Sequence, residues 1–235
     1  MNDINIKEIK KEFEKYSNPE KAKTQQRYFK TGKNEYGEGD IFLGIAVPDT
    51  RKIAQKYKNI SLKIVQEFLQ SKIHEERLFA LLVLIYHFRN GEEEDKKKIH
   101  DFYLENTKFI NNWDLVDLSA RDIIGAYLYN KDRSPLYELV KSNNLWERRI
   151  AIIATSHFIK QNEFEDTINI AEILLDDRED LIHKAVGWML REVGKRDLTV
   201  EENFLKKHLK KMPRTMLRYA IEKFPEEKRK SYLSK

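Results

Sequence analysis

The chain has no cysteine, which excludes disulfides and thiolate chemistry and fits a reducing compartment. Glycine and proline are scarce, at 8 and 5 of 235 residues. No apolar run approaches the roughly 18 residues that a membrane span needs. The stretch from Met1 to Lys15 is charged throughout and lacks the apolar centre of a signal peptide. A soluble, cytoplasmic protein without a membrane partner is therefore expected. Catalytic motifs are missing as well. No His-Glu-x-x-His string or Cys/His cluster suggests a metal site. Thr31-Gly32-Lys33 lacks the upstream glycine of a phosphate loop, and Gly37, Gly39 and Gly44 miss the dinucleotide spacing. No Gly-x-Ser-x-Gly elbow occurs. Any catalysis here must be electrostatic, with no metal and no cofactor.

What is present is amphipathic and charged. Hydrophobic residues make up 40% of the chain, enough for a core, and their pervasive patterning argues against disorder. Lysine and arginine number 44 against 39 acids, a net charge of +5, so the distribution of charge matters more than its sum. Most windows carry apolar residues at helical spacing rather than in alternation. Ile6, Ile9, Phe13 and Tyr16 form one such stripe. Asn18-Pro19-Glu20 reads as a cap, a first-turn proline and an acid beside a helix N-terminus, and Pro48-Asp49 and Ser61 read as later helix starts. The glycines concentrate between Gly32 and Gly44, the one clear non-helical segment of any length. About a dozen helices and no secure strand are expected.

Internal repetition organises these helices. Arg77-Leu78-Phe79-Ala80, Val116-Asp117-Leu118, Arg149-Ile150-Ala151, Lys184-Ala185-Val186 and Arg218-Tyr219-Ala220 align, with starts 39, 33, 35 and 34 residues apart. Each opens the second half of a helix pair. The preceding helices include Leu62 to Leu69, Ile99 to Leu104, Leu136 to Val140, Ile168 to Leu175 and Phe204 to Leu209. Two helices per unit and a period in the thirties predict an all-α fold, an α-solenoid of the HEAT or armadillo kind. A single domain over 1–235 is expected, with N-terminal helices and the glycine-containing connection in 1–47 and repeats in 48–235. Three of the five starts carry arginine and one lysine. That row either lines a basic concave surface or merely caps and solvates an inner helix.

Trp113-Asp114-Leu115-Val116-Asp117 is the most informative string. Trp113 and Asp117, four apart, share one helix face. An electron-rich indole attracts a cation, and a carboxylate beside it stabilises positive charge as it develops. The bland alternative has Trp113 packed between repeats and Asp117 in a cap or a salt bridge. Asp114 lies about 300° of helix rotation from Asp117, adjacent yet not superposed; it is read as the structural acid and Asp117 as the chemical one. Asn111 or Asn112 is expected to cap this helix. Lys184, Trp188 and Arg191 fall at i, i+4 and i+7, a stripe of base, aromatic and base. Burial would strand two charges, so a wet face is favoured over side chains snorkelling around a half-buried indole. Of Arg148 and Arg149, one should face the groove and the other the outer layer or a salt bridge with Glu147, with Trp146 as a core anchor. His157, eight residues after Arg149, is either a phosphate contact or structural. The C-terminal bases from Lys206 to Arg218 form an electrostatic footprint suited to nucleic acid, in part simply solvated.

In these residues the chain resembles the AlkD family of HEAT-like-repeat DNA alkylation repair glycosylases. The matching stretches are Asn18-Pro19-Glu20-Lys21-Ala22, Arg27-Tyr28, Phe42-Leu43-Gly44-Ile45, Trp113 to Asp117, Trp146 to Ala151 and Lys184 to Glu192. They run in order along nearly the whole chain, and the last is the most specific. The resemblance implies a right-handed α-solenoid gripping duplex DNA in a basic concave groove. It implies hydrolysis of the N-glycosidic bond of cationic N3- and N7-alkylated purines, such as 3-methyladenine and 7-methylguanine, without base flipping and without strand cleavage. It puts Trp113, Asp117 and Trp188 at the catalytic cleft and Tyr28, Arg149 and Arg191 at DNA contacts. Lys184, Arg218 and His157 are added as candidate DNA-binding residues, although His157 stands where a family member carries lysine. The expected partner is double-stranded DNA with alkylated bases, met by a monomer. The competing expectation is a non-catalytic helical-repeat protein that binds DNA structures or acts as a protein scaffold, because fold alone does not establish catalysis.

Overall fold

The computed structural model describes residues 5–234, and among them every regular element is a helix. The one pairing of extended backbone there is an isolated parallel bridge between Ile41 and Ile73. Backbone contacts divide the chain into two compact units, Met1–Leu115 and Val116–Lys235.

The first unit contains α1 (Ile6–Glu14), α2 (Pro19–Tyr28), α3 (Val47–Lys56), α4 (Leu62–Leu69), α5 (His74–Asn90) and α6 (Glu93–Glu105). Local chemistry starts several of them. The Asn18 side chain accepts from the backbone N–H of Glu20 and Lys21, and the Ser61 hydroxyl accepts from Ile64 N–H. These caps satisfy donors that a first helical turn leaves without intrahelical partners. The α1 stripe seats Ile9 and Phe13 in the core, where Phe13 meets Phe68 of α4 and Phe79 of α5. Helix α5 is buried without a break from His74 to Ile85, the mark of a central helix rather than an amphipathic one. Helices α3, α4 and α6 pack against it.

The glycine-containing segment links α2 to α3 and is tied down at its C-terminal end. The buried Glu75 carboxylate accepts from the backbone N–H of Leu43, Gly44 and Ile45. Ile41 N–H donates to the Lys72 carbonyl, and His74 N–H to the Ile41 carbonyl. Gly44 has φ of +81°, and a Cβ there would lie 2.0 Å from the Asn18 carbonyl oxygen. Only glycine fits that close approach of the connector to the start of α2.

Helix α7 (Trp113–Ala120) runs from the end of the first unit into the second, and continues through a π turn (Arg121–Gly125) into α8 (Ala126–Leu128). The second unit adds α9 (Ser134–Leu139), α10 (Leu145–Ala154), α11 (Ser156–Lys160), α12 (Glu165–Ile173), α13 (Asp180–Gly194), α14 (Leu198–His208), α15 (Arg214–Ala220) and α16 (Glu226–Leu233). Helix α9 packs on α10, α12 on α13, and α13 on α10, α14 and α15. Gly187 lets α15 approach α13, since a Cβ there would meet the Met216 carbonyl oxygen at 2.4 Å.

The all-α class and the repeat are met helix for helix. The aligned starts fall in α5, α7, α10, α13 and α15, and the expected first helices are α4, α6, α9, α12 and α14.

Candidate functional site

In the first unit, Trp113 opens α7 half-buried, and its indole stacks on Phe29 with centroids 5.2 Å apart and planes 10° apart. Tyr28, at the end of α2 and 66% exposed, meets the indole edge-on at 5.9 Å. Beneath Phe29 the stack continues through Phe42 at 4.9 Å, and from Phe42 to the His74 ring at 4.5 Å. Phe29 is buried, as a core residue among bases should be.

The residues flanking Trp113 are held from inside. Asn112, fully buried, accepts from Trp113 N–H through its side-chain oxygen at 2.8 Å. Asp114 is the structural acid expected. One of its oxygens accepts from Leu115 N–H, and the other lies 2.8 Å from His74 Nε2. His74 Nδ1 reaches Asp40 at 3.2 Å, and Arg77 pairs with Asp40 at 2.7 Å. Burial opposes charge on His74, but Asp114 and then Asp40 overcome it and push the imidazole up to about 9. Asp40 shows the converse: burial raises it, yet His74 and Arg77 hold it below the ordinary aspartate range.

In the second unit, Asp117 meets Arg149. The guanidinium donates from Nε at 2.9 Å and from Nη2 at 2.8 Å to the two carboxylate oxygens, a bidentate pair. Arg149 is only 5% exposed, and its remaining arm donates to the Leu181 carbonyl at the start of α13. Lys184 and Trp188 follow Leu181 at i+3 and i+7, on one face of α13. The half-buried Trp188 donates from Nε1 to Glu192 at 3.2 Å.

The residues expected at DNA have different surroundings. Arg149, placed at a DNA contact by resemblance, is buried and engaged with Asp117 and Leu181, so its guanidinium supports the acid rather than presenting itself to phosphate. Arg148 pairs with Asp177 at 2.6 Å rather than with Glu147, and Trp146 is core. Lys184 pairs with Asp180 at 2.7 Å, and Arg191 with Glu222. Burial depresses the His157 ring; Asp122 pulls the other way, and Arg121 and Lys160 add to the depression. A neutral imidazole set against Tyr129 is a poor phosphate ligand. Arg218 is exposed on α15, and Lys210 and Lys211 are exposed after α14. Of the five aligned starts, Arg77 is buried on Asp40, so the basic row is largely neutralised by the chain's own acids.

Sequence reasoning missed His74, Asp40 and Arg77 as partners of the Trp113 region. A signal existed: His74-Glu75-Glu76-Arg77 puts four ionisable residues at the head of an apolar helix, where each must find a partner. Among the described residues no three His, Asp or Glu side chains converge to hold a metal ion, and no helix is long and apolar enough to cross a membrane.

Repeated helix pairs carrying a clamped acid and half-buried indoles make this an all-α helical-repeat protein. The profile of the DNA alkylation repair enzyme family matches residues 9–224, and the chain belongs to that family. A structure from Enterococcus faecalis, described as a predicted DNA alkylation repair enzyme, is 17% identical. It covers 89% of this chain and 97% of its own, with a TM-score of 0.68. AlkD2 from Streptococcus mutans is 19% identical over 91% of this chain and 99% of its own, with a TM-score of 0.57. A second Streptococcus mutans structure, smu.31, is 22% identical over 76% and 92%, with a TM-score of 0.56. At these identities the likeness is one of fold. None of the curated proteins compared with this chain matches it.

Proposed function

We propose that this repair enzyme is a monofunctional DNA glycosylase acting on cationic alkylated purines in duplex DNA, with 7-methylguanine and 3-methyladenine as substrates. The observation that carries the reading is the bidentate Asp117–Arg149 pair, one helical turn after Trp113. A carboxylate gripped on both oxygens is fixed in direction, so it can stabilise developing positive charge without reorganising. Arg149 is the positioning residue for that acid.

In the proposed reaction the alkylated purine already carries positive charge and is a good leaving group. The C1′–N bond breaks with its electron pair passing to the departing base, which becomes neutral. Asp117 stabilises the positive sugar, and the indoles of Trp113 and Trp188 offer it their electron-rich faces. The oxygen of a water molecule then bonds to C1′, and its proton passes by way of Asp117 to solvent, leaving an abasic site. No lysine nucleophile takes part, so the strand stays intact. Neither a cofactor nor base flipping is required. Tyr28, Arg218, Lys210 and Lys211 are the exposed candidates for contact with DNA.

Incubating the protein with methylated duplex DNA should release 7-methylguanine or 3-methyladenine. Asp117→Asn should nearly abolish release while DNA binding survives, and normal release by that variant removes Asp117 from its role. The internal pairing of Lys184 and Arg191 favours a second reading, a non-catalytic protein that binds DNA structures or serves as a scaffold. Salt-sensitive DNA binding with no released base would support DNA-structure binding. Negligible DNA affinity at low salt would support the scaffold.

A further inference from the structure

The indole of Trp113 is fixed by a buried ionic hub that the proposed chemistry does not itself use. Trp113 lies between Asn112 and Asp114, and both neighbours are anchored to the same cluster. Asn112 Nδ2 donates to Asp40 at 3.3 Å, and Asp114 lies 2.8 Å from His74. His74, Arg77 and Asp40 are all buried, at 2%, 3% and 6% exposed. The charged groups facing the His74 ring are Asp114 from α7, Asp40 from the connector, and Arg77 from its own helix α5. Two carboxylates only accept, so an imidazole between them needs a proton on each nitrogen. With His74 charged, two cations face two anions and the cluster is neutral. The same ring then forms the floor of the stack that runs through Phe42 and Phe29 to the indole.

We infer that His74, held as an imidazolium between Asp40 and Asp114, is a positioning residue that sets the place of Trp113. The hub joins three separate pieces of chain: the connector, the head of α5 and the start of α7. Loss of the proton leaves one ring nitrogen with its lone pair facing a carboxylate, so the support of Trp113 loosens. The direction in pH follows from the raised folded value of about 9 against an ordinary histidine at 6.5. The stabilisation is complete below about 6.5 and is lost as pH rises through about 9. For base release the inference rests on the glycosylase reading. The placement of Trp113 can be measured without it.

Labelling with 5-fluorotryptophan gives one ¹⁹F resonance for each of the three tryptophans, and Trp113→Phe assigns the relevant one. His74→Gln should move or broaden the Trp113 resonance and leave those of Trp146 and Trp188 in place. Histidine ¹⁵N spectra should show both His74 ring nitrogens protonated at pH 7.5, and the Trp113 resonance of the wild-type chain should shift with a midpoint near pH 9. Base release by His74→Gln should fall at least tenfold, with DNA affinity little changed. If His74→Gln does not fold, the charge-balanced pair His74→Gln with Asp114→Asn is measured instead. A Trp113 resonance unmoved in the substituted chain, or one that moves only together with the other two, overturns the inference. A wild-type chain that releases no base, yet shows the selective Trp113 shift, defeats the glycosylase reading and leaves the hub standing.

Discussion

Replacing Arg149 with methionine tests whether Asp117 and Arg149 form one physical unit. The side chains are 14% and 6% exposed, so the variant leaves a largely desolvated carboxylate without its partner. Breaking a buried pair from one side costs about 3–5 kcal/mol. The residual exposure of Asp117 places this case near 3 kcal/mol, and the unmatched Leu181 carbonyl adds about 1 kcal/mol. Asp117→Leu should cost a similar amount, because it strands the guanidinium. Replacing both residues by apolar side chains of similar size should cost only about 0–1 kcal/mol, since neither charge then remains to be solvated. The cycle therefore predicts a coupling of several kcal/mol.

Urea denaturation of the four proteins reads this out. With a slope of about 3 kcal/mol per molar, the single variants should lose roughly 1 M in Cm and the double variant far less. If the double variant loses the sum of the two single losses, the pair is not a unit and the argument for a pre-aimed carboxylate fails. Kinetics supply the second arm. Arg149→Lys retains the charge but cannot grip both oxygens. A carboxylate misplaced by an ångström should slow base release about 100-fold. Release within twofold of the wild-type rate would refute the positioning role.

Other outcomes follow from the same structure. Trp188→Ala should slow base release, while Trp188→Phe, which keeps an aromatic face, should retain more of it; equal rates would remove the indole from the reaction. Gly44→Ala should destabilise the chain by more than the ~1–3 kcal/mol of a residue forced to positive φ, because its methyl also meets the Asn18 carbonyl; thermal unfolding checks it. Burial pushes the Glu201 carboxyl up to about 8 against the pull of Lys228 and Arg191, and one of its oxygens has no hydrogen-bond partner. The folded chain thus keeps a proton that the unfolded chain sheds, so stability falls as pH rises from about 4.5 to about 8. Glu201→Gln should remove that slope, an effect of at most about 5 kcal/mol; a stability gap between the two proteins that stays constant from pH 5 to pH 8.5 contradicts it.

The helices were legible because their signals are local. Asn18 and Ser61 cap where their residue types say they should, and the apolar spacing of Ile9 and Phe13 marks a face that is in fact buried. The repeat was legible for a related reason, since each pair must bury one face on the next and so presents the same small string at a period in the thirties. The glycine-containing segment was not, because its tethers are non-local. Glu75 lies about thirty residues from the three N–H groups it accepts, and nothing near Gly44 announces that acid.

That Asp114 and Asp117 do not superpose, lying about 60° apart around α7, could be read from helix rotation alone. The partners could not. Periodicity assigns a residue to a face but leaves open which opposite charge occupies that face, and here the answer changes the reading of function. Arg77, Arg149 and Lys184 stand at equivalent repeat positions and look from sequence like one basic row. Arg77 and Arg149 are instead buried against Asp40 and Asp117, and Lys184 pairs within its own helix. At two of these positions the base is thus the counter-charge of an acid held inside the chain. On the proposed reading, exposed cations such as Arg218, Lys210 and Lys211 supply attraction for a polyanion, while Arg149 fixes the direction of Asp117. Substituting Lys210 and Lys211 by alanine should then reduce the salt dependence of DNA binding by up to about two counterions, whereas Arg149→Lys should leave that slope unchanged and alter only the rate of base release.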